Sequence, residues 1–97
     1  EMLILRTLTP GPCHGYGIAR QLEDASDGVL RVEHGSLYPA LERLLKKGHV
    51  KARWENSPTG RRARYYTMTD SGRARLDRKR ADYERVTGAI ARVMSGA

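Results

Sequence analysis

With 97 residues and 18 Lys and Arg against 11 Asp and Glu, the chain is one small domain of net charge +7, which favours a polyanionic partner, nucleic acid ahead of an acidic membrane surface. Its single cysteine, Cys13, excludes an internal disulfide and any multi-cysteine zinc site, in keeping with a reducing compartment. No run approaches the ~18 apolar residues of a membrane span, and the opening "EMLILRTL" is too short and wrongly flanked for a signal peptide, so the cytoplasm is the expected location.

The chain opens at Glu1 and not at a methionine, so a few residues are expected before it. In "MLILRTL", Met2 to Leu8, consecutive apolar residues sweep around the axis, which predicts a helix buried on more than one side. Pro10, Gly11 and Pro12 break it. Ile18, Leu22 and Ala25 then mark the stripe of a second helix, which His14 is placed to cap and which ends near Ser26 to Gly28. A third helix is predicted from Ser36 to Lys47, held down by Leu37, Leu41, Leu44 and Leu45, capped by Ser36 and stopped by Gly48, with Pro39 tolerated near its start. Projected at about 100° per residue, the side opposite the leucines is centred on Pro39, Arg43 and Lys46, with Ser36 and Tyr38 flanking it. Tyr38 is expected to pack its ring and reach outward with its hydroxyl.

Beyond Gly48 the period changes to two. Val50, Ala52 and Trp54 alternate with Lys51, Arg53 and Glu55, Asn56 to Gly60 make a turn, and "RRARYYTM" returns as a second strand, giving a hairpin. Adjacent strand residues face opposite ways, so one of Tyr65 and Tyr66 belongs to the core; Trp54 is expected to pack under the hairpin. Thr69 caps a long last helix with Gly88 as a weak point. Along it Leu76, Tyr83, Val86, Ile90 and Val93 recur at the spacing of a helix seam, interrupted by Lys79. A chain this small is only marginally stable alone, so Met2 and Leu5 with that seam are assigned to a homodimer interface.

Three helices followed by a two-stranded hairpin is the order of a winged helix-turn-helix, mainly α with a small β-hairpin, in which the third helix enters the major groove of double-stranded DNA and the wing reaches beside it. Residues 1–69 form the winged-helix domain and residues 70–97 the dimerisation helix. Arg43 suits a guanine edge or a phosphate, Ser36 and Tyr38 phosphates, Pro39 a thymine methyl, and Lys46 shares their face. Arg61, Arg62 and Arg64 concentrate charge beyond the turn, where a narrow minor groove attracts them.

The segments "HGYGIARQLE", "GSLYPALERLLKKGHV" and "GRRARYYTMTDSGR" resemble, in order and spacing, the signature segments of the PadR-like transcriptional regulators, over roughly Leu3 to Leu76. The resemblance implies a winged helix that dimerises through its last helix and its partner's first helix and represses transcription from a near-palindromic operator. By position, Tyr38 and Pro39 match the family's "LYP", and Gly60, Arg61 and Arg64 its wing turn. The single C-terminal helix resembles the family's short branch. Short members that bind flat drugs use an aromatic on the last helix, which here offers only Tyr83, so a small-molecule inducer is compatible with the family but has no support in these residues.

Competing readings make different demands. A protein-interaction module needs an apolar patch in place of Pro39, Arg43 and Lys46. An RNA-binding protein needs aromatic stacking platforms. No G-x-S-x-G, Gly-rich phosphate loop or acid–base pair points to an enzyme. His14, His34 and His49 lack partners at ligand spacing, so no metal or cofactor is expected, and Cys13 reads as a small half-buried hydrophobe.

Overall fold

A computed structural model describes residues 1–96. Its elements run α1 (Met2–Thr7), β1 (Cys13–His14), α2 (Gly15–Ala25), α3 (His34–Lys46), β2 (Val50–Asn56), β3 (Arg62–Met68) and α4 (Asp70–Met94). None of these helices is long and apolar enough to cross a membrane. The fold is mainly helical with a small antiparallel sheet, a winged helix.

Leu5, Ile18, Leu37, Leu41 and Leu44 are fully buried and knit the first three helices together, with Val50, Tyr66 and Leu76 closing the core from the sheet and α4. Tyr66 is the core member of its tyrosine pair. Leu3, on the outer side of α1, stays half-exposed while Ile4, Leu5 and Leu8 go inside.

The sheet has three strands in the order β1-β3-β2, one more than the hairpin read from the sequence. The added strand is only Cys13 and His14, opposite Tyr66 and Tyr65. Two residues carry no alternation, so the period that reveals a strand is absent there. His14 ends β1 and starts α2: its Nδ1 accepts the Gly17 N–H at 3.0 Å, which places the ring proton of the neutral imidazole on Nε2.

The third helix starts two residues earlier than the leucine stripe suggested. Its cap is Glu33, extended at φ −83°, ψ 139°, and it uses no side-chain cap bond. The Ser36 N–H already donates to the Glu33 carbonyl at 3.0 Å, so Ser36 lies in the first turn and is not the cap. Pro39 is therefore inside the helix, where it removes the donor that the Gly35 carbonyl would otherwise receive. Both residues are exposed, so water can serve that carbonyl. At the other end, Gly48 takes φ 76°, its N–H donating to the Leu45 carbonyl and that of His49 to Leu44, a Schellman stop.

Thr69 joins sheet to last helix. Its Oγ1 accepts the Gly72 N–H at 3.1 Å and donates to the Gly48 carbonyl at 2.6 Å. The start of α4 packs on α1 and places Leu76 in the common core, after which the helix runs on without a break at Gly88. Tyr83, Val86, Ile90, Val93 and Met94 line this distal part and are all substantially exposed. This corrects part of the expected interface: Leu5 and Leu76 are 1% and 3% exposed inside their own chain and have no surface to offer a partner. Met2, partly buried, stands at their edge.

Candidate nucleic-acid interface

The outward face of α3 is bordered by ion pairs on both sides. On the α1 side, Arg43 Nε donates to Glu1 Oε2 at 2.9 Å and Lys47 Nζ lies 3.5 Å from the other oxygen. The Arg43 hydrogen bond, seconded by the Lys47 charge, holds the Glu1 carboxyl below its ordinary range against the opposing effect of burial. On the wing side, Arg64 reaches Glu42 of α3 at 3.2 Å. Between these borders Ser36, Pro39 and Lys46 stand exposed. Lys46, Arg61 and Arg62 have no carboxylate partner among the described residues.

Tyr38 lies on the wing side of α3, its ring stacked on His34 with centroids 5.9 Å apart. Its hydroxyl does not point straight outward, as the sequence led one to expect. It rests over the Cα of Gly15, where a Cβ would be only 2.8 Å from the oxygen. Gly15 opens α2, so glycine there is what lets the tyrosine lie beside that helix start. The hydroxyl has no hydrogen-bond partner among the described residues and remains available.

The hairpin register sets what the wing presents. Trp54 opposes Arg64 and Asn56 opposes Arg62, so Ala52, Trp54, Arg62, Arg64 and Tyr66 share one face. That face turns toward α3 across an open groove of about 880 Å³, whose walls include Tyr16, Tyr38, Trp54 and Arg61. Arg64 lies 5.7 Å from the centroid of the Tyr66 ring and Arg62 5.9 Å from that of Trp54. The turn itself closes through the Ser57 N–H on the Arg61 carbonyl at 2.7 Å, with Gly60 at φ 83°.

Of the residues singled out from the sequence, Tyr38 of α3 and Arg61, Arg62 and Arg64 of the wing meet around this groove, whereas Ser36, Pro39 and Lys46 of α3 and Gly60 of the turn are exposed outside it and Arg43 is held by Glu1. Trp54 corrects its expectation: it is 58% exposed and lines the groove, not the core. Tyr16, 60% exposed, was missed as a site residue. Both are legible only once the cross-strand register and the α2–α3 packing are known. Cys13 is half-buried, and burial pushes its thiol up against the opposing hydrogen bond from Gln21, an unreactive setting.

The model of the PadR-like transcriptional regulator family matches residues 4–78. The chain belongs to this family. PadR-like proteins are transcriptional regulators and not enzymes. The chain is similar to a 37.1 kDa protein in a transposon of Streptomyces fradiae, with 37% identity over 90 residues, covering 93% of this chain and 24% of that protein. It is 30% identical over 73 residues to the negative transcriptional regulator PadR of Bacillus subtilis (strain 168), covering 75% of this chain and 40% of that one. The chain thus spans less than half the length of these two relatives. Among solved structures, a PadR family transcription regulator from Clostridium difficile R20291 superposes with a TM-score of 0.84 at 27% identity, covering 96% of this chain and 95% of that one. Bacillus subtilis PadR in complex with operator DNA superposes at 0.69 with 29% identity over 78% of this chain and 42% of the other.

Proposed function

We propose that the chain is a sequence-specific DNA-binding repressor that acts in the cytoplasm as a homodimer on a near-palindromic operator. The observation that carries this reading is the exposed side of α3 beside the wing, where Lys46, Arg61 and Arg62 have no carboxylate partner among the described residues. Supporting it, a structure similar to this one holds operator DNA, and a relative is named a negative regulator. The homodimer is supported by the apolar strip Tyr83, Val86, Ile90, Val93 and Met94, which is half or more exposed among the described residues apart from Val86, close to half. Residues 1–69 then read DNA, and the distal part of residues 70–97 joins two copies. A direct test is competition: labelled duplex should be displaced by unlabelled duplex and not by equal phosphate of structured RNA. Displacement by RNA alone would move the protein to the RNA-binding class.

The two parts of the surface should fail differently. Arg61→Ala is expected to weaken binding to every duplex by a similar factor and to flatten the slope of log affinity against log salt by about one, because one phosphate-neutralising charge is gone. Arg43→Ala is expected to change which sequences are preferred, since Arg43 exchanges Glu1 for a base edge. An unaltered preference in the Arg43 variant would take base reading away from that residue.

Tyr38→Phe keeps the ring on His34 and removes only the free hydroxyl. Stability should be nearly unchanged while DNA affinity falls by about 1 kcal/mol or more, the net scale of one hydrogen bond. Full affinity in a well-folded Tyr38→Phe protein would remove Tyr38 from the contact surface. Melting curves beside binding isotherms separate the two effects.

A further inference from the structure

We infer that Trp54 is a positioning residue for DNA binding, a seat that holds the Arg62 guanidinium ready in the groove between wing and α3; this rests on the DNA-binding reading above. Three observations converge. Trp54 is the chain's only tryptophan, and more than half of it is exposed, so its indole contributes little to the core. Its place on the inner face of β2 puts it diagonally across the hairpin from Arg62, whose guanidinium lies 5.9 Å from the ring centroid. Finally, the neighbouring arginine in the same row, Arg64, is seated on Tyr66 and neutralised by Glu42, whereas Arg62 is seated and has no carboxylate among the described residues.

The physical consequence follows from what an arginine loses on binding. A free arginine side chain gives up much rotamer freedom when it docks on a phosphate or in a minor groove. Resting on the indole, Arg62 has given up part of that freedom before the DNA arrives, and the ring's negative face holds the charge without cancelling it, as a carboxylate would. Arg61, one residue away at the turn, is exposed and has neither an aromatic seat nor a carboxylate among the described residues. The two adjacent arginines therefore differ in kind: Arg61 supplies diffuse charge and Arg62 a placed one.

The test titrates the full chain with a duplex recovered by selection, for the native protein and for W54F, W54A, R62A and the W54A/R62A pair. W54A should weaken binding about three- to five-fold, the scale of an exposed cation–π contact, while W54F, which keeps a ring, stays within about two-fold of native. In the R62A background W54A should add almost nothing, because the seat has lost its occupant. Melting temperatures of W54A and native protein should nearly coincide. As the only tryptophan, Trp54 should also report directly, with native emission quenched or shifted as duplex saturates the protein. Independent, multiplying effects of W54A and R62A, or a W54F as weak as W54A, would overturn the assignment. So would native emission unmoved at saturating duplex, whether or not any variant folds. A native protein that binds no selected duplex would instead overturn the DNA-binding reading, and this inference with it.

Discussion

Ile90→Asp is expected to turn a dimer into a folded monomer and to remove operator binding at concentrations where the native protein is saturated. Ile90 lies on the exposed apolar side of α4 with Tyr83, Val86, Val93 and Met94, and it is 55% exposed within its own chain. The folded monomer should tolerate an aspartate there because water still reaches it. In the proposed dimer a two-fold axis would bring two copies of the strip together, and each carboxylate would enter a dry surface without a cation arranged for it. The cost is on the order of 3–5 kcal/mol, a factor of several hundred or more in the dimer dissociation constant. Sedimentation at micromolar concentration should give a monomer for Ile90→Asp and a dimer for the native chain, with matching circular dichroism. A native chain that is itself monomeric there would remove the two-fold operator along with the dimer.

Gly72→Ala is expected to destabilise the fold by about 2–3 kcal/mol, the upper range for overpacking a tight site. In an open helix the same change would stabilise by up to about 1 kcal/mol. The sign reverses here because a Cβ at Gly72 would fall on the His49 carbonyl, with Met68 closing the other side. That carbonyl accepts the Thr69 N–H at 3.1 Å, so it cannot withdraw without losing the junction between sheet and α4. The melting temperature should drop by roughly 10 °C or more for a domain of this size. Gly88→Ala is the internal control: only the end of the Arg92 side chain comes near, at 3.7 Å, and this change should raise the melting temperature. Equal responses at the two glycines would mean that α4 is not seated on His49.

The contrast between these glycines marks what a sequence can carry. Gly88 alone stood out in the sequence as a weak point, and only the packing of the start of α4 on His49 shows what Gly72 does. The helices were legible because Leu37, Leu41 and Leu44, or Ile18 and Leu22, repeat at the helical period, and the hairpin because that period changes to two after Gly48. The short strand Cys13–His14 has no period to read. The start of α3 was displaced because serine is a good cap in general, while here the backbone at Glu33 makes the turn unaided.

At the candidate site, the pairing of the charges was not legible in the sequence. Glu1 with Arg43, and Glu42 with Arg64, meet only through the fold, across sequence separations that no periodicity spans. Lys46, Arg61 and Arg62 enter no such pair among the described residues. Trp54 was expected to pack under the wing on the general behaviour of tryptophan, whereas the residue is 58% exposed and lines the groove. The seam on α4 was read from Leu76 to Val93 with a break at Lys79, yet Leu76 is absorbed by the core, and the exposed strip begins at Tyr83.

The central claim, a homodimer that reads a two-fold operator through α3 and its wing, is tested most directly by selecting bound duplexes from a random pool with the native chain. The account predicts an inverted repeat, with half-sites about one or more whole helical turns apart so that both recognition helices enter the major groove on the same side of the duplex. A single unrepeated motif would contradict the dimer, and a pool that stays random under repeated selection would contradict sequence-specific binding altogether.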